Sequence, residues 1–145
     1  MKNYNHDILN VYTDGASRKN PGLGAWAFII KDEKGKKIEN GGDALRYTTN
    51  NLAEYRAIYE AIDRARTLKA RVMNINSDSS LVINQLKGAY KTESPALKAM
   101  LSQIKKLMNQ TKTTVNFNWI SREENKEADE LCNTLMDNYS KRGIK

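Results

Sequence analysis

Four acidic side chains occupy positions from which their carboxylates could share one site. Asp14 and Asp78 each end a short apolar stretch that is typical of a strand, so both would project from a sheet. Glu54 lies near Ile58 on the helix face that turns toward this sheet. Asp129 lies at the edge of the apolar stripe of the last predicted helix, so the four acids can converge.

Carboxylates packed this closely repel each other and lose hydration, so they are costly unless protons or cations neutralise them. Two Mg²⁺ ions about 4 Å apart could activate a water on one side of a phosphodiester and stabilise the leaving 3′-oxygen on the other. The pattern therefore points to metal-dependent phosphodiester hydrolysis. Taken singly, each acid could instead be a helix cap, a turn residue or a solvated surface group.

Turn residues and hydrophobic periodicity predict the elements that would position these acids. The predicted strands are 8–13, 26–30, 38–47, 72–76 and 113–120. The predicted helices are 51–67, 80–86, 95–108 and a C-terminal helix that follows the loop 121–126. This order predicts an α/β fold in which helices pack on the faces of a mixed five-stranded sheet.

Length and composition are typical of a single domain. The chain has 145 residues, of which 39% are hydrophobic and 28% charged, so we expect one domain over residues 1–145 that begins at Met1 and is complete. No apolar run approaches the roughly 20 residues of a membrane span. The N-terminus also lacks the apolar core of a secretory signal, so we expect a soluble, cytoplasmic protein without a membrane partner.

Charge and rare residues add further expectations. The chain has 24 Lys plus Arg and 17 Asp plus Glu, which gives a formal net charge of +7. This positive charge favours a polyanionic partner such as a nucleic acid. The single cysteine, Cys132, cannot form an internal disulfide and is expected to be buried. Trp26 and Trp119 lie within predicted strands, so we expect both in the core. The only histidine, His6, precedes the first predicted strand and is expected to be exposed.

Four ordered motifs carry a resemblance to a known family. They are Tyr-Thr-Asp-Gly-Ala-Ser-x-x-Asn-Pro-Gly at 12–22, Thr-Thr-Asn-Asn-x-x-Glu at 48–54, Ser-Asp-Ser at 77–79 and Asn-x-x-Ala-Asp at 125–129. Together they resemble type 1 ribonuclease H over nearly the whole chain. The resemblance implies the ribonuclease H-like fold, in which three antiparallel strands are followed by two parallel ones. It also implies hydrolysis of the RNA strand of RNA/DNA hybrids, leaving 5′-phosphate and 3′-hydroxyl ends.

The resemblance assigns roles to individual residues of this chain. Asp14, Glu54, Asp78 and Asp129 match the family's catalytic, metal-binding acids, which implies two Mg²⁺ ions per site with Mn²⁺ as an alternative metal. Asp14 is expected to bridge both ions. The resemblance further implies a monomer that binds an RNA/DNA hybrid, and double-stranded RNA as a second substrate, because this fold recognises groove shape and 2′-hydroxyls.

Five more positions match the family along the path of the hybrid, and these substrate-binding candidates are Gly15, Asn20, Thr49, Asn50 and Asn51. Gly15 is expected to lend its backbone to the site. The other four are expected to contact 2′-hydroxyls and backbone rather than base edges, which gives strand choice without sequence choice. Turn chemistry is the alternative interpretation, since Asn20-Pro21-Gly22 would form a turn in any protein.

The chain departs from the family's pattern in two places. The loop 121–125 is short and has no histidine, so we hypothesise that Arg122 or Glu123 partly takes over proton transfer or product release. Between Leu86 and Leu97 the chain also lacks the basic helix-and-loop insertion of some relatives. The candidates for replacing its grip on the substrate are Lys87, Lys91, Lys98, Lys105 and Lys106.

Two other interpretations remain open alongside the enzyme. One is a catalytically weak or inactive module that binds hybrids or double-stranded RNA, which the intact carboxylates disfavour. The other is a domain of a retroelement polymerase, or a transposase or integrase of the same fold. The asparagine-rich motifs favour hybrid cleavage over DNA strand transfer.

Overall fold

Apolar stretches separated by turns form five strands in a computed structural model that describes residues 4–142. The strands are β1 (His6–Ser17), β2 (Gly22–Asp32), β3 (Lys37–Thr48), β4 (Ala70–Ser77) and β5 (Thr114–Trp119). Residues 1–3 and 143–145, which belong to the predicted domain, lie outside the described residues.

The strands form one mixed sheet in the order β3-β2-β1-β4-β5. The β1–β2 and β2–β3 pairs are antiparallel, whereas β1–β4 and β4–β5 are parallel. This confirms the α/β prediction and its three antiparallel strands followed by two parallel ones. β1 lies at the centre of the sheet and carries Asp14 near its C-terminal end.

Within the described part of the chain, four α-helices and a single-turn 3₁₀ helix accompany the sheet. They are α1 (Asn50–Thr67), α2 (Ser80–Leu86), α3 (Pro95–Gln110), the 3₁₀ helix Arg122–Asn125 and α4 (Lys126–Lys141). Side-chain oxygens of Thr49, Ser79 and Ser94 accept hydrogen bonds from backbone N–H groups in the first turns of α1, α2 and α3. Among the helices of residues 4–142, none is long and apolar enough to span a membrane.

The two faces of the sheet are covered by different helices. On one face a large core joins buried β1 and β4 residues, such as Leu9 and Ile75, to α1 and α3. The small side chains of α1 allow a close approach, and they are Ala53, Ala57, Ala61 and Ala65. On the other face α4 places Cys132 and Met136 against Ala25 and Ala27 of β2. The prediction of a buried, unpaired Cys132 is confirmed.

β1 continues beyond its predicted end at Thr13. Its pairing with β4 stops at Thr13 opposite Ser77, but its pairing with β2 continues through Asp14 to Ser17. Asp14 therefore lies at the point where the central strand loses one neighbour and keeps the other. The backbone of Asp14 is therefore fixed by β2 alone, although its side chain is buried.

Two expectations about single residues were wrong. Trp26 is buried as predicted, but Trp119 is 57% exposed, because it is the last residue of the edge strand β5. His6 is not an exposed residue ahead of the sheet, since it begins β1, pairs with Ala70 and is half-buried.

Candidate active site

Three of the predicted acids meet at the end of β1 and β4. Carboxylate oxygens of Asp14, Glu54 and Asp78 all lie within 4.8 Å of one another. They line a cleft of about 340 Å³ that also includes Asp129. The remaining residues that line this cleft are Gly15, Ala16, Asn50, Asn51, Ser79 and Arg122. The fold thus brings all four acids, and three of the substrate-binding candidates, to one cleft.

Two hydrogen bonds fix Glu54 to the ends of β1 and β4. The backbone N–H of Gly15 donates to Oε1 at 2.9 Å, and the Ser77 hydroxyl donates to Oε2 at 3.2 Å. Gly15 permits this approach, because a Cβ there would lie 2.2 Å from the backbone carbon of Ala53 in α1. The glycine therefore lets the first turn of α1 lie against the strand that carries Asp14.

Asp78 and Asp129 stand on the more open side of the cleft. Asp78 directly follows β4, and Arg122 Nε lies 3.9 Å from its Oδ2. The Arg122 side chain is 90% exposed and the Asp78 side chain 13%. Asp129 lies in the first turn of α4 and is half-buried. A carboxylate in that turn is favoured by the helix dipole, so α4 can present it toward the other acids.

Burial and mutual repulsion disfavour the charged forms of these acids. Desolvation, reinforced by the charges of Asp78 and Asp129, raises the pKa of Asp14 to about 7. Desolvation and the neighbouring Asp14 charge raise the pKa of Glu54 well above its ordinary value. The pKa of Asp78 is also raised by desolvation, although the nearby Arg122 guanidinium counteracts part of the effect. The cluster is thus short of positive charge.

The donor atoms and their electrostatics fit a hard divalent cation. The ligand atoms within 4.8 Å of one another are all carboxylate oxygens, which Mg²⁺ and Mn²⁺ accept. A cation there would supply the charge that the raised pKa values show to be missing. Cys132 is buried beside the site, but desolvation raises the pKa of its thiol, whose Sγ instead donates to the Asp14 carbonyl at 3.4 Å. The thiol is therefore a packing group.

The asparagine candidates form an interlocked turn beside the cleft. The Asn50 side-chain oxygen accepts from Ser17 N at 2.7 Å, and the Asn20 side-chain oxygen accepts from Asn50 N at 3.0 Å. Thr49 caps α1 through its hydroxyl oxygen. Turn and cap roles are therefore present at these positions. They tie the β1–β2 turn to the start of α1, which also carries Glu54.

Sequence reasoning missed two polar residues that support the acids. Asn125 is 1% exposed, and its side-chain amide donates to the Thr13 carbonyl at 2.8 Å, which fastens the start of α4 to the end of β1. Ser77 is fully buried and bonds to Glu54. The available signal was their place inside the motifs at 77–79 and 125–129, where Ser77 directly precedes Asp78 and Asn125 lies four positions before Asp129.

Comparisons with known proteins agree with this geometry. The family described as "Reverse transcriptase-like" matches residues 12–135. Ribonuclease HI of Halobacterium salinarum is 33% identical over 133 residues, which cover 89% of this chain and 64% of that protein. The crystal structure of the RNase H1 from the same organism is 32% identical with a TM-score of 0.86, covering 90% of this chain and 98% of that one. The chain belongs to the type 1 ribonuclease H family.

Further solved members of the family have the same fold. The N-terminal RNase H domain of Rv2228c from Mycobacterium tuberculosis is 29% identical with a TM-score of 0.88, covering 95% of this chain and 99% of that one. LC11-RNase H1, isolated from compost by a metagenomic approach, was solved in complex with an RNA/DNA hybrid. It is 32% identical with a TM-score of 0.87, covering 90% and 98% of the two chains. The ribonuclease H fold predicted from the motifs is confirmed.

Proposed function

We propose that this protein is an endoribonuclease that hydrolyses the RNA strand of RNA/DNA hybrids and leaves 5′-phosphate and 3′-hydroxyl ends. The observation that carries the proposal is the convergence of Asp14, Glu54 and Asp78 within 4.8 Å, in a chain of the ribonuclease H family. The chain spans 35% of the length of Rv2228c and 64% of the Halobacterium enzyme, so the activity of the whole protein is part of this proposal.

Asp14, Glu54, Asp78 and Asp129 would hold two Mg²⁺ ions, or Mn²⁺ in their place, with Asp14 as the shared ligand. When bound, such ions activate the attacking water and stabilise charge on the leaving oxygen. The role of the chain is to orient four carboxylates toward one point, where bound cations would favour their ionised forms. Glu54 is oriented by Gly15 and Ser77, and Asp14 by the β1–β2 ladder.

Recognition of the hybrid is assigned to Gly15, Asn20, Thr49, Asn50 and Asn51. The side-chain oxygens of Asn20 and Asn50 are occupied by backbone N–H groups, which fixes the orientation of both amides. Their NH₂ groups form no hydrogen bond among residues 4–142 and remain free to donate. Donors of this kind can bind phosphate oxygens and 2′-hydroxyl oxygens, and the 2′-hydroxyl distinguishes an RNA strand without any base being read.

Arg122 and Glu123 are proposed to assist proton transfer or product release in place of a loop histidine. Arg122 is the better placed of the two, since its guanidinium is almost fully exposed at the cleft and lies near Asp78. A cation at this position can contact a phosphate oxygen of the substrate or product. Glu123 is exposed in the same turn and borders a separate small pocket with Lys31.

Lysines near the α2–α3 connection are proposed to contribute to substrate grip. Lys91, Lys98 and Lys105 line an open depression of about 680 Å³, and none of them forms an ion pair with the described residues. Because phosphate contacts by such side chains depend on counterion release, the KM for the hybrid should rise steeply with salt. A KM that does not change between low and moderate salt would contradict this role.

The remaining parts of the proposal concern the whole protein. Residues 1–145 are proposed to form one domain that acts as a monomer in the cytoplasm, with double-stranded RNA as a lesser substrate. The buried, unpaired Cys132 is compatible with a reducing compartment. Gel filtration with light scattering tests the monomer, since a mass near twice 16.5 kDa would contradict it.

Cleavage of a labelled RNA/DNA hybrid tests the activity, with double-stranded RNA and double-stranded DNA as controls at several Mg²⁺ and Mn²⁺ concentrations. We expect metal-dependent cutting of the RNA strand by the intact protein and its loss in Asp14→Asn. Hybrid binding without cutting would instead support the binding module. If the protein neither binds nor cuts the hybrid, the proposed function is wrong.

A further inference from the structure

We propose that Trp119 is a positioning residue, whose indole N–H holds the main chain at Asp78 so that this carboxylate keeps the geometry that metal binding needs. The inference rests on the proposed function, since it takes Asp78 to be a metal ligand. The contact that carries it joins Trp119 Nε1–H to the Asp78 carbonyl oxygen at 3.3 Å, across 41 positions of sequence.

Asp78 needs such support because it lies between two regular elements. β4 ends at Ser77, and α2 begins at Ser80 with Ser79 as its N-cap. The pairing of β4 with both neighbouring strands also stops at Ser77, which lies opposite Thr13 and Trp119. Asp78 is therefore beyond the ladder that fixes the strand. A side chain that reaches its backbone can restrict the φ and ψ angles that aim its carboxylate.

Trp119 is placed to provide this contact from the edge strand. It is the last residue of β5, and the next residue, Ile120, donates its N–H to the Ser77 carbonyl at 2.9 Å. The ring is 57% exposed, so its indole N–H could bond to water, yet it is directed at the protein. An exposed ring contributes little to core burial. Its removal should therefore affect Asp78 more than it affects the stability of the fold.

The other tryptophan is a matched control with the opposite properties. Trp26 is 9% exposed, and its ring stacks on Phe28 with centroids 6.1 Å apart. Its indole nitrogen has no hydrogen-bond partner among the described residues. Trp26 therefore acts through packing and Trp119 through a polar contact. Substituting phenylalanine at either position removes an indole N–H, but only at Trp119 does that group hold a candidate metal ligand.

The unmodified protein allows a first test by NMR. The chain has two tryptophans and should give two indole N–H signals in a ¹H–¹⁵N spectrum, assigned with the variants Trp26→Phe and Trp119→Phe. We expect titration with Mg²⁺ to shift the Trp119 signal progressively and to leave the Trp26 signal nearly unchanged. A Trp119 signal that does not move while the protein binds Mg²⁺ would overturn the inference.

Calorimetric titration with Mn²⁺ then measures the effect of the contact. In Trp119→Phe we expect the Kd for Mn²⁺ to rise roughly fivefold to tenfold, and the Mg²⁺ concentration for half-maximal cleavage to rise by a similar factor. The unfolding midpoint of this variant in EDTA should stay within about 2 °C of wild type. Trp26→Phe should show the reverse: a lower midpoint and an unchanged Kd.

The outcomes separate this inference from the proposed function. If the wild type binds Mn²⁺ and cuts hybrids but Trp119→Phe has the same Kd, the inference alone fails. A large fall in the unfolding midpoint of Trp119→Phe would show a structural role and also overturn it. If the wild type binds Mn²⁺ without cutting, a raised Kd in the variant still supports the inference, although the proposed function is lost. A wild type that binds no metal contradicts both.

Discussion

The buried and open sides of the acid cluster are held in different ways. Asp14 and Glu54 are each 5% exposed and are fixed by strand pairing, by the Gly15 N–H and by the Ser77 hydroxyl. Asp78 and Asp129 lie outside the sheet, near the starts of α2 and α4. Asp78 also lies near the exposed side chain of Arg122. The strand ladder and α1 therefore determine the geometry of the buried side, whereas side-chain contacts from neighbouring segments determine that of the open side. Substitutions on the two sides should therefore differ in how much cleavage activity they remove.

The largest effect is expected from Asp14→Asn, which alters the buried side at the acid proposed to be the shared metal ligand. Cleavage of the hybrid should fall by roughly a thousandfold, equivalent to about 4 kcal/mol of transition-state stabilisation. Single-turnover rates at saturating Mg²⁺ measure this, with far-ultraviolet circular dichroism as the folding control. Retention of a tenth of wild-type activity in a folded variant would mean that Asp14 is not a shared ligand.

A smaller loss is expected from Asp129→Asn on the open side. Asp129 is half-buried and lies outside the group of three acids whose ligand atoms are within 4.8 Å of one another. Replacing its carboxylate with an amide should therefore slow cleavage by roughly tenfold to a hundredfold. Raising the Mg²⁺ concentration should recover part of the rate, which it should not do for Asp14→Asn. Equal losses in the two variants would remove the distinction between the two sides.

Arg122→Ala tests the most exposed group of the cleft. The Arg122 guanidinium lies 3.9 Å from Asp78 and is free to contact phosphate, so we expect about a tenfold fall in kcat with a smaller change in KM. Glu123→Ala serves as the matched control in the same turn. Its kcat should fall by less than about threefold, because exposed charged groups contribute little. If both variants keep wild-type turnover, neither residue replaces the missing histidine.

The smallest effect concerns stability and pH in the absence of metal. The pKa of Asp14 is raised from 3.8 to about 7, so the folded state binds a proton that the unfolded state has released. The contribution of this proton to the free energy of unfolding is fully present below about pH 4 and is lost as the pH rises through about 7. Thermal unfolding in EDTA measures this effect. Between about pH 4 and pH 7, the unfolding midpoint of wild type should fall by several degrees more than that of Asp14→Asn.

Addition of Mg²⁺ completes that test. At pH 8, Mg²⁺ should raise the unfolding midpoint of wild type, because the ion binds the folded state and neutralises the ionised acids. It should leave Asp14→Asn nearly unchanged. Parallel pH profiles for the two proteins in EDTA would contradict the assignment of buried charge to Asp14.

Much of the fold could be predicted from the sequence because the signals are local. The apolar stretches of the strands, the hydrophobic periodicity of the helices and the turn residues between them each involve neighbouring residues. The strand boundaries were less accurate. β1 extends to Ser17 instead of ending at Thr13, because β2 continues to pair with it beyond the turn-rich stretch that suggested a loop.

The candidate site was predictable in its residues but less so in its supports. The acids stand out because carboxylates at strand ends and on an apolar helix face are unusual. Asn125 and Ser77 gave no comparable signal, since asparagine and serine are common in turns. The exposure of Trp119 could not be predicted either, because it depends on β5 being the edge strand and on which helices cover it.

The sequence by itself determined which side chains are available for chemistry and which elements carry them, because these properties depend on residue type and on spacing along the chain. Only the tertiary structure decided how the acids are held. The Gly15–Glu54, Asn125–Thr13 and Trp119–Asp78 contacts join residues 39, 112 and 41 positions apart. Such contacts follow from the order of the strands and the approach of the helices, which no local pattern specifies.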